Sequence, residues 1–175
     1  PTLVRPLVRM LEQDPVAEVR AAAANSLGRF VLLGALGETP DEVAREAECA
    51  LRAAWSRPME VQDVRRRALE GLGCTGAADV QDMIENGYYD EEASMRQSAV
   101  FAMGKSADRR WARYVLAELR SQDAAMRFEA CAAAARKGQS REKLAAGDAE
   151  GLAKQGCTRW ALGEEFPASL TGSSW

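Results

Sequence analysis

An apolar residue followed directly by arginine recurs along the chain and constrains its fold more than any other feature. This step occurs at Val19-Arg20, Val64-Arg65, Met95-Arg96 and Met126-Arg127. Counted from the apolar residue as offset 0, alanine always stands at offset 4, and offset 8 is Leu, Leu, Met and Ala in turn. Offsets 0, 4, 7 and 8 fall on one stripe of an α-helix. The pattern therefore predicts four helices that each bury the same face.

The spacing of these arginines predicts a repeat. Arg65 and Arg96 are 31 residues apart, as are Arg96 and Arg127, whereas Arg20 and Arg65 are 45 apart, which exceeds the period by 14 residues. A period in the thirties is typical of helical-hairpin arrays. Abundant alanine and straight-chain residues agree with helix, since they lose little entropy on becoming helical. We therefore predict an all-α, right-handed α-solenoid (an α-α superhelix) of about five hairpins.

The same period predicts how the chain is divided. We expect one domain, 1–175, in which the surplus residues form an insertion near 31–38 and the last repeat is degenerate. The four regular repeats, the degenerate repeat and the tail are placed at approximately 1–30, 39–74, 77–105, 107–138, 141–163 and 164–175.

Two kinds of local pattern predict helix boundaries. Thr39-Pro40-Asp41-Glu42 has the sequence of a capping box with proline at the first helical position. Glycine follows offset 8 at Gly28, Gly73 and Gly104, and glycine ends helices because it accepts a left-handed conformation. We expect these glycines to stop the second helix of their repeats.

The stretch Asp14-Pro15-Val16-Ala17-Glu18-Val19-Arg20, continued to Leu27-Gly28, resembles the HEAT-like repeats of phycobilisome bilin lyases. The resemblance covers about residues 1–138. In that family the arginine usually pairs with an acidic residue of the turn between the helices, often in a neighbouring repeat. The resemblance thus implies a structural ladder in which Arg20, Arg65, Arg96 and Arg127 pair with Asp14, Asp63, Asp90 and Asp123.

The binding surface is expected on the concave face, which is built by the second helices of a solenoid. Opposite the core stripe lie offsets 2 and 6. Phe101 and Phe128 occupy such offsets in adjacent repeats, and aromatic residues near arginine are typical interface anchors. The candidate binding residues are Arg66, Glu70, Gln97, Phe101 and Phe128.

The chain contains no histidine, which removes the commonest general base and the commonest metal ligand. No catalytic or metal-binding set of residues is predicted, and no cofactor. We therefore predict a non-enzymatic scaffold or adaptor that binds a protein or peptide on its concave face. An alternative that rests on the resemblance is an accessory subunit of a bilin lyase or isomerase.

A second alternative is nucleic-acid binding, since HEAT-like arrays also occur in alkyl-purine DNA glycosylases. The net charge of −3 disfavours it, because nucleic-acid-binding domains usually carry a basic stripe. Two arginine-rich runs, 65–67 and 109–114, are interpreted as solvated helix faces.

The remaining expectations concern the surroundings of the chain. Four cysteines without a Cys-x-x-Cys pair are interpreted as buried thiols, and no signal peptide or membrane-length apolar run is present. We expect a cytoplasmic protein with no membrane partner. Two hypotheses stay open for the end repeats: the chain is a piece of a longer array, or exposed end repeats let it self-associate.

Overall fold

The computed structural model describes residues 3–106 and 108–139, with side chains up to 136. Within that part of the chain the secondary structure is entirely helical. The predicted degenerate repeat 141–163 and tail 164–175 lie outside the described residues, and the division into repeats stays a prediction. The elements are α1 (Val4–Gln13), α2 (Ala17–Ala35), α3 (Asp41–Ser56), α4 (Gln62–Leu72), α5 (Ala78–Tyr88), α6 (Ala93–Lys105), a 3₁₀ turn (Arg109–Trp111), α7 (Ala112–Glu118) and α8 (Ala124–Gln139).

Successive helices pack as hairpins, α1 with α2, α3 with α4, α5 with α6 and α7 with α8. Each second helix also packs against the next one, so that α2, α4, α6 and α8 form a continuous layer. The predicted stripe is the core of this layer: Val64, Met95 and Met126 are buried, and so are the alanines at offset 4. The prediction of an α-solenoid of helical hairpins is confirmed.

The surplus residues of the second repeat lengthen two helices instead of forming a long loop. α2 has 19 residues and α3 has 16, and Gly37, with φ of 72°, makes the turn between them. The predicted capping box at Thr39 is wrong, since α3 starts at Asp41 without a side-chain cap. Pro40 itself takes the N-cap place with extended ψ of 140°, which leaves Thr39 one residue too early to cap.

The expectation that these glycines stop the second helices by adopting a left-handed conformation is also wrong. α2 continues past Gly28 to Ala35, and Gly104 lies inside α6. Gly73 does follow the end of α4, but with a right-handed φ of −55° that any residue adopts. These glycines are therefore required for something other than a left-handed turn.

What they provide is close contact between neighbouring second helices. A Cβ atom at Gly28 would lie 2.6 Å from the Cα of Gly71, nearer than real Cβ atoms approach. In every case the glycine at offset 9 of one hairpin meets the small residue at offset 7 of the next. The contacts are Gly28 with Gly71 at 2.6 Å, Gly73 with Ala102 at 2.8 Å and Gly104 with Ala133 at 2.6 Å from the added Cβ to the Cα.

The first helices, in contrast, are bridged by long side chains. Arg52 Nε donates to Asp79 Oδ2 at 2.7 Å between α3 and α5. Tyr88 donates its hydroxyl to Glu118 Oε1 at 2.5 Å between α5 and α7. A stack whose second helices touch through glycine while its first helices are spaced by side chains curves toward the second helices. The solvent-facing side of α2, α4, α6 and α8 is here called the inner surface, and it is the side on which such a stack is expected to be concave.

Candidate functional site

The repeated arginines bind the turns that lead into their own helices. Arg96 Nη1 donates to the backbone oxygens of Asp90 at 2.9 Å and Glu91 at 2.7 Å. One guanidinium thus holds two carbonyls that no helix satisfies. The other three arginines do the same: Arg20 binds the carbonyls of Asp14 and Pro15, Arg65 those of Arg57 and Pro58, and Arg127 those of Ser121 and Gln122.

The family resemblance implies ion pairs of Arg20 with Asp14, Arg65 with Asp63 and Arg96 with Asp90. None of these three pairs is formed. The physical reason is that the turn aspartates are engaged elsewhere. Asp14 Oδ1 accepts from the backbone N–H of Val16, Asp90 Oδ1 from that of Glu92 and Asp123 Oδ1 from that of Ala125, while Asp63 pairs with Arg66.

A buried carboxylate joins the first two hairpins instead. Glu60 is 1% exposed in its side chain and accepts from Arg20 Nη2 at 2.8 Å and Arg57 Nη1 at 2.5 Å. Burial opposes its ionisation, but the hydrogen bonds from Arg20 and from the Val61 N–H prevail and lower the pKa of Glu60. The sequence showed Glu60 only as an acidic residue before a helix.

The side chains at offset 2 are not uniformly open to the groove, so the predicted phase of the binding face requires correction. Ala21 is buried, and Gln97 Nε2 donates to Asp123 Oδ2 of the next hairpin at 3.4 Å. Arg66, also at offset 2, pairs with Asp63 at 3.2 Å. Neighbouring second helices touch at offsets 7 and 9, and the inner surface includes Phe101 at offset 6 with Lys105 and Arg136 at offset 10.

Glu70, predicted to face the groove, is buried in a polar network. Its carboxylate accepts from Arg67 Nη1 at 2.8 Å and from Ser98 Oγ at 2.7 Å. Its backbone oxygen accepts from Lys105 Nζ at 2.8 Å. Glu70 therefore holds α4 against α6 and is not available to a partner.

Phe101 is half-buried on the inner surface beneath two cations. The Arg136 guanidinium carbon lies 4.3 Å from the centroid of the ring, and Lys105 Nζ lies 5.8 Å from it. Arg136 Nη2 also donates to Glu129 Oε1. Both cations stand at offset 10 and reach back toward the preceding hairpin. We call these contacting side chains the Phe101 cluster: Arg67, Glu70, Ser98, Phe101, Lys105, Glu129 and Arg136.

Phe128 has a different environment. It is 58% exposed and stands on α8 at offset 2, the register of Gln97. The two predicted anchors thus lie on one layer, yet one ring is covered by a cation and the other is open. Sequence periodicity could not distinguish them, because the cover comes from the next helix.

Burial perturbs two charges of the Phe101 cluster. It lowers the pKa of Lys105, and it raises the pKa of Glu129 against the opposing effect of Arg136. In the described ranges no group of three acidic, cysteine or histidine side chains could hold a metal ion. The described cysteines are not uniformly buried as predicted, since Cys49 is exposed on α3, Cys74 is half-buried and Cys131 is buried, and Cys157 lies outside the described residues.

Comparison with known proteins adds to the geometry. No curated protein matches the sequence. No helix of the described part is long and apolar enough to cross a membrane. Residues 3–33, which cover α1 and most of α2, match the family model of the HEAT repeat, a repeat that generally serves as a protein-interaction scaffold. That match, together with the stacked hairpins, supports a HEAT-like repeat protein.

Proposed function

We propose that the chain is a scaffold or adaptor that binds a protein or peptide on its inner surface, with Phe101 as the main anchor. The observation that carries the proposal is the Phe101 ring, half-buried between α6 and α8 with the Arg136 guanidinium over its face. Aromatic residues and arginine dominate the binding energy of protein interfaces. Here the two lie in direct contact on the concave face.

In this proposal a side chain of the partner replaces the Arg136 guanidinium that covers the Phe101 ring. Arg136 is held at its other side by Glu129, and its side chain is 30% exposed. A partner's apolar side chain can displace the guanidinium from the ring while the Glu129 pair persists. A cation–π contact at a partly exposed site is worth about 0.5–1 kcal/mol, so its exchange for buried apolar area favours binding.

The charges of the inner surface speak against the nucleic-acid alternative. Arg66 pairs with Asp63, Arg67 with Glu70 and Arg136 with Glu129. A phosphate backbone would have to displace these carboxylates, whereas typical nucleic-acid sites present arginine without local neutralisation. The bilin lyase alternative has only the family resemblance behind it.

The test selects ligands without knowledge of the natural partner. Peptides are selected from a displayed random library on the immobilised chain, and their dissociation constants are measured by fluorescence anisotropy. Phe101→Asp should weaken binding by at least about tenfold, and Phe128→Asp, at an exposed position outside the Phe101 cluster, should weaken it less. Leu116→Asp is the matched control, since Leu116 is equally exposed but lies on α7, a first helix.

The folding of the variants and their peptide affinities together decide whether the binding site lies on the inner surface. Because the Phe101 ring is half-buried, circular dichroism and urea unfolding are used to verify that Phe101→Asp remains folded. Binding that survives Phe101→Asp in folded protein, or that is lost equally in Leu116→Asp, contradicts a site on the inner surface.

A further inference from the structure

The Phe101 cluster carries an excess of positive charge. Its charged side chains are three basic and two acidic ones, namely Arg67, Lys105, Arg136, Glu70 and Glu129. The cluster therefore has one uncompensated positive charge, although the chain as a whole has a net charge of −3. An anionic group of a partner would complete its charge balance.

Lys105 is the cation that the two carboxylates leave uncompensated. The oxygens of the Glu70 carboxylate accept from Ser98 at 2.7 Å and from Arg67 at 2.8 Å, so Lys105 Nζ reaches only the Glu70 backbone oxygen. Among the side chains that the structure describes, no carboxylate forms an ion pair with Lys105. Burial lowers the pKa of Lys105, although the charge of Glu70 opposes the decrease. The ammonium group is thus not compensated for the water that it has lost.

This charge lies close to the apolar ring. Lys105 Nζ is 5.8 Å from the centroid of the Phe101 ring. In an extended peptide, two side chains that face the same side are two residues apart, which is about 7 Å. The last residue of a chain, in contrast, carries its α-carboxylate and its side chain on one Cα atom. A terminal apolar residue therefore reaches the ring and the ammonium group together more readily than an internal apolar residue with an acidic neighbour.

We propose that the inner surface binds the free C-terminus of a partner chain whose last residue is apolar. The side chain of that residue packs on Phe101, and its α-carboxylate accepts a hydrogen bond from Lys105 Nζ. Lys105 keeps its bond to the Glu70 carbonyl, because an ammonium group has three donors. This inference rests on the proposed function, since it specifies which part of the peptide lies on Phe101.

Comparison of peptide acids with peptide amides tests the inference. Peptides are selected on the immobilised full chain from a random library displayed with free carboxyl ends, and each is synthesised as the free acid and as the C-terminal amide. Fluorescence anisotropy measures both dissociation constants. The acid should bind at least about tenfold more tightly, because amidation removes the charge that Lys105 binds. If Lys105 binds an acidic side chain inside the peptide instead, acid and amide should bind equally.

Three variants test whether the preference for the acid depends on Lys105. Lys105→Met keeps the length of the side chain without its charge, so acid and amide should bind with about equal affinity. Lys105→Arg retains the charge and should retain the preference. Arg29→Met is the matched control, because Arg29 stands at the same offset 10 of the first hairpin and is exposed outside the Phe101 cluster. The preference should be unchanged in this control.

The results distinguish this inference from the proposed function. Equal affinity of acid and amide for the wild-type chain overturns the inference, and so does a preference that persists in Lys105→Met or falls equally in Arg29→Met. The proposed function survives these results, since it is contradicted by binding that survives Phe101→Asp or is lost equally in Leu116→Asp. A chain that selects no peptide overturns both.

Discussion

Arg20 and Glu60 are separated by 40 residues, and the Arg20 guanidinium donates two hydrogen bonds, at 2.8 and 3.1 Å, to one carboxylate oxygen of Glu60. Arg20 also holds the turn before α2, while Glu60 lies in the turn before α4. The pair therefore ties the turns of two successive hairpins to each other. Because the Glu60 side chain is almost fully buried, loss of its charge leaves Arg20 and Arg57 without their shared acceptor.

Glu60→Gln should lower the free energy of unfolding by about 2 kcal/mol, since one partner of a largely buried ion pair is removed while the amide keeps some hydrogen bonding. Urea unfolding followed by circular dichroism measures the change. Asp79→Asn is the matched control: Asp79 also bridges two hairpins through an arginine, but its side chain is 50% exposed. That control should cost at most about 1 kcal/mol. Equal losses in the two variants would contradict the role given to Glu60.

The contribution of Glu60 should depend on pH in a definite direction. Its native pKa lies below its unfolded value of about 4.3, so between the two values the unfolded state binds more protons. The stabilisation is complete above the unfolded pKa and is lost as pH falls through the native one. The stability difference between wild type and Glu60→Gln should therefore be constant above about pH 5 and shrink at lower pH. Urea midpoints in a pH series measure it; a difference that grows on acidification would be inconsistent with a lowered pKa.

The buried stripe could be predicted from the sequence, whereas Glu60 could not. The burial of Val64, Met95 and Met126 follows from helical periodicity, which is a local property. Glu60 precedes its helix like any capping acid, and nothing local distinguishes it from Asp123. Its burial depends on how two hairpins stack, which is a tertiary property.

Gly28→Ala should destabilise the chain although alanine favours helix by about 1 kcal/mol. The added Cβ would lie 2.6 Å from the backbone of Gly71, and a backbone cannot yield as a side-chain tip can. We expect a net loss of about 1–3 kcal/mol, as for overpacked cores. Gly76→Ala, in open space, is the control and should not destabilise. Thermal and urea unfolding compare the two, and a stabilised Gly28→Ala variant would show that the helices do not touch there.

Trp111 and Gln81 should be energetically coupled. Trp111 is buried in the 3₁₀ turn before α7, and its Nε1 donates to Gln81 Oε1 of α5 at 2.7 Å. Trp111→Phe leaves the buried amide oxygen without that donor and should cost about 1–3 kcal/mol beyond the lost ring volume. A double-mutant cycle with Gln81→Leu measures the coupling, expected at about 1 kcal/mol. Strictly additive losses would mean that the hydrogen bond contributes nothing.

Helical periodicity also could not predict which phenylalanine of the candidate site is covered. Phe101 and Phe128 were both expected on the concave face, because a helical wheel treats the side opposite the core as solvent. In the described part of the chain α4 and α6 each contact two other second helices, so Gln97 at offset 2 reaches the following hairpin and Phe101 at offset 6 lies beneath a cation from it. Which aromatic ring is covered depends on Arg136, 35 positions after Phe101 in the sequence.

The central claim is that a peptide partner lies on the inner surface beside Phe101. The most direct measurement is photo-cross-linking of a selected peptide that carries a photoreactive group, with the labelled positions identified by mass spectrometry. Labels are expected on α4, α6 and α8, and competition by unlabelled peptide should remove them. Labels confined to α3, α5 and α7, the first helices on the opposite side, would contradict it.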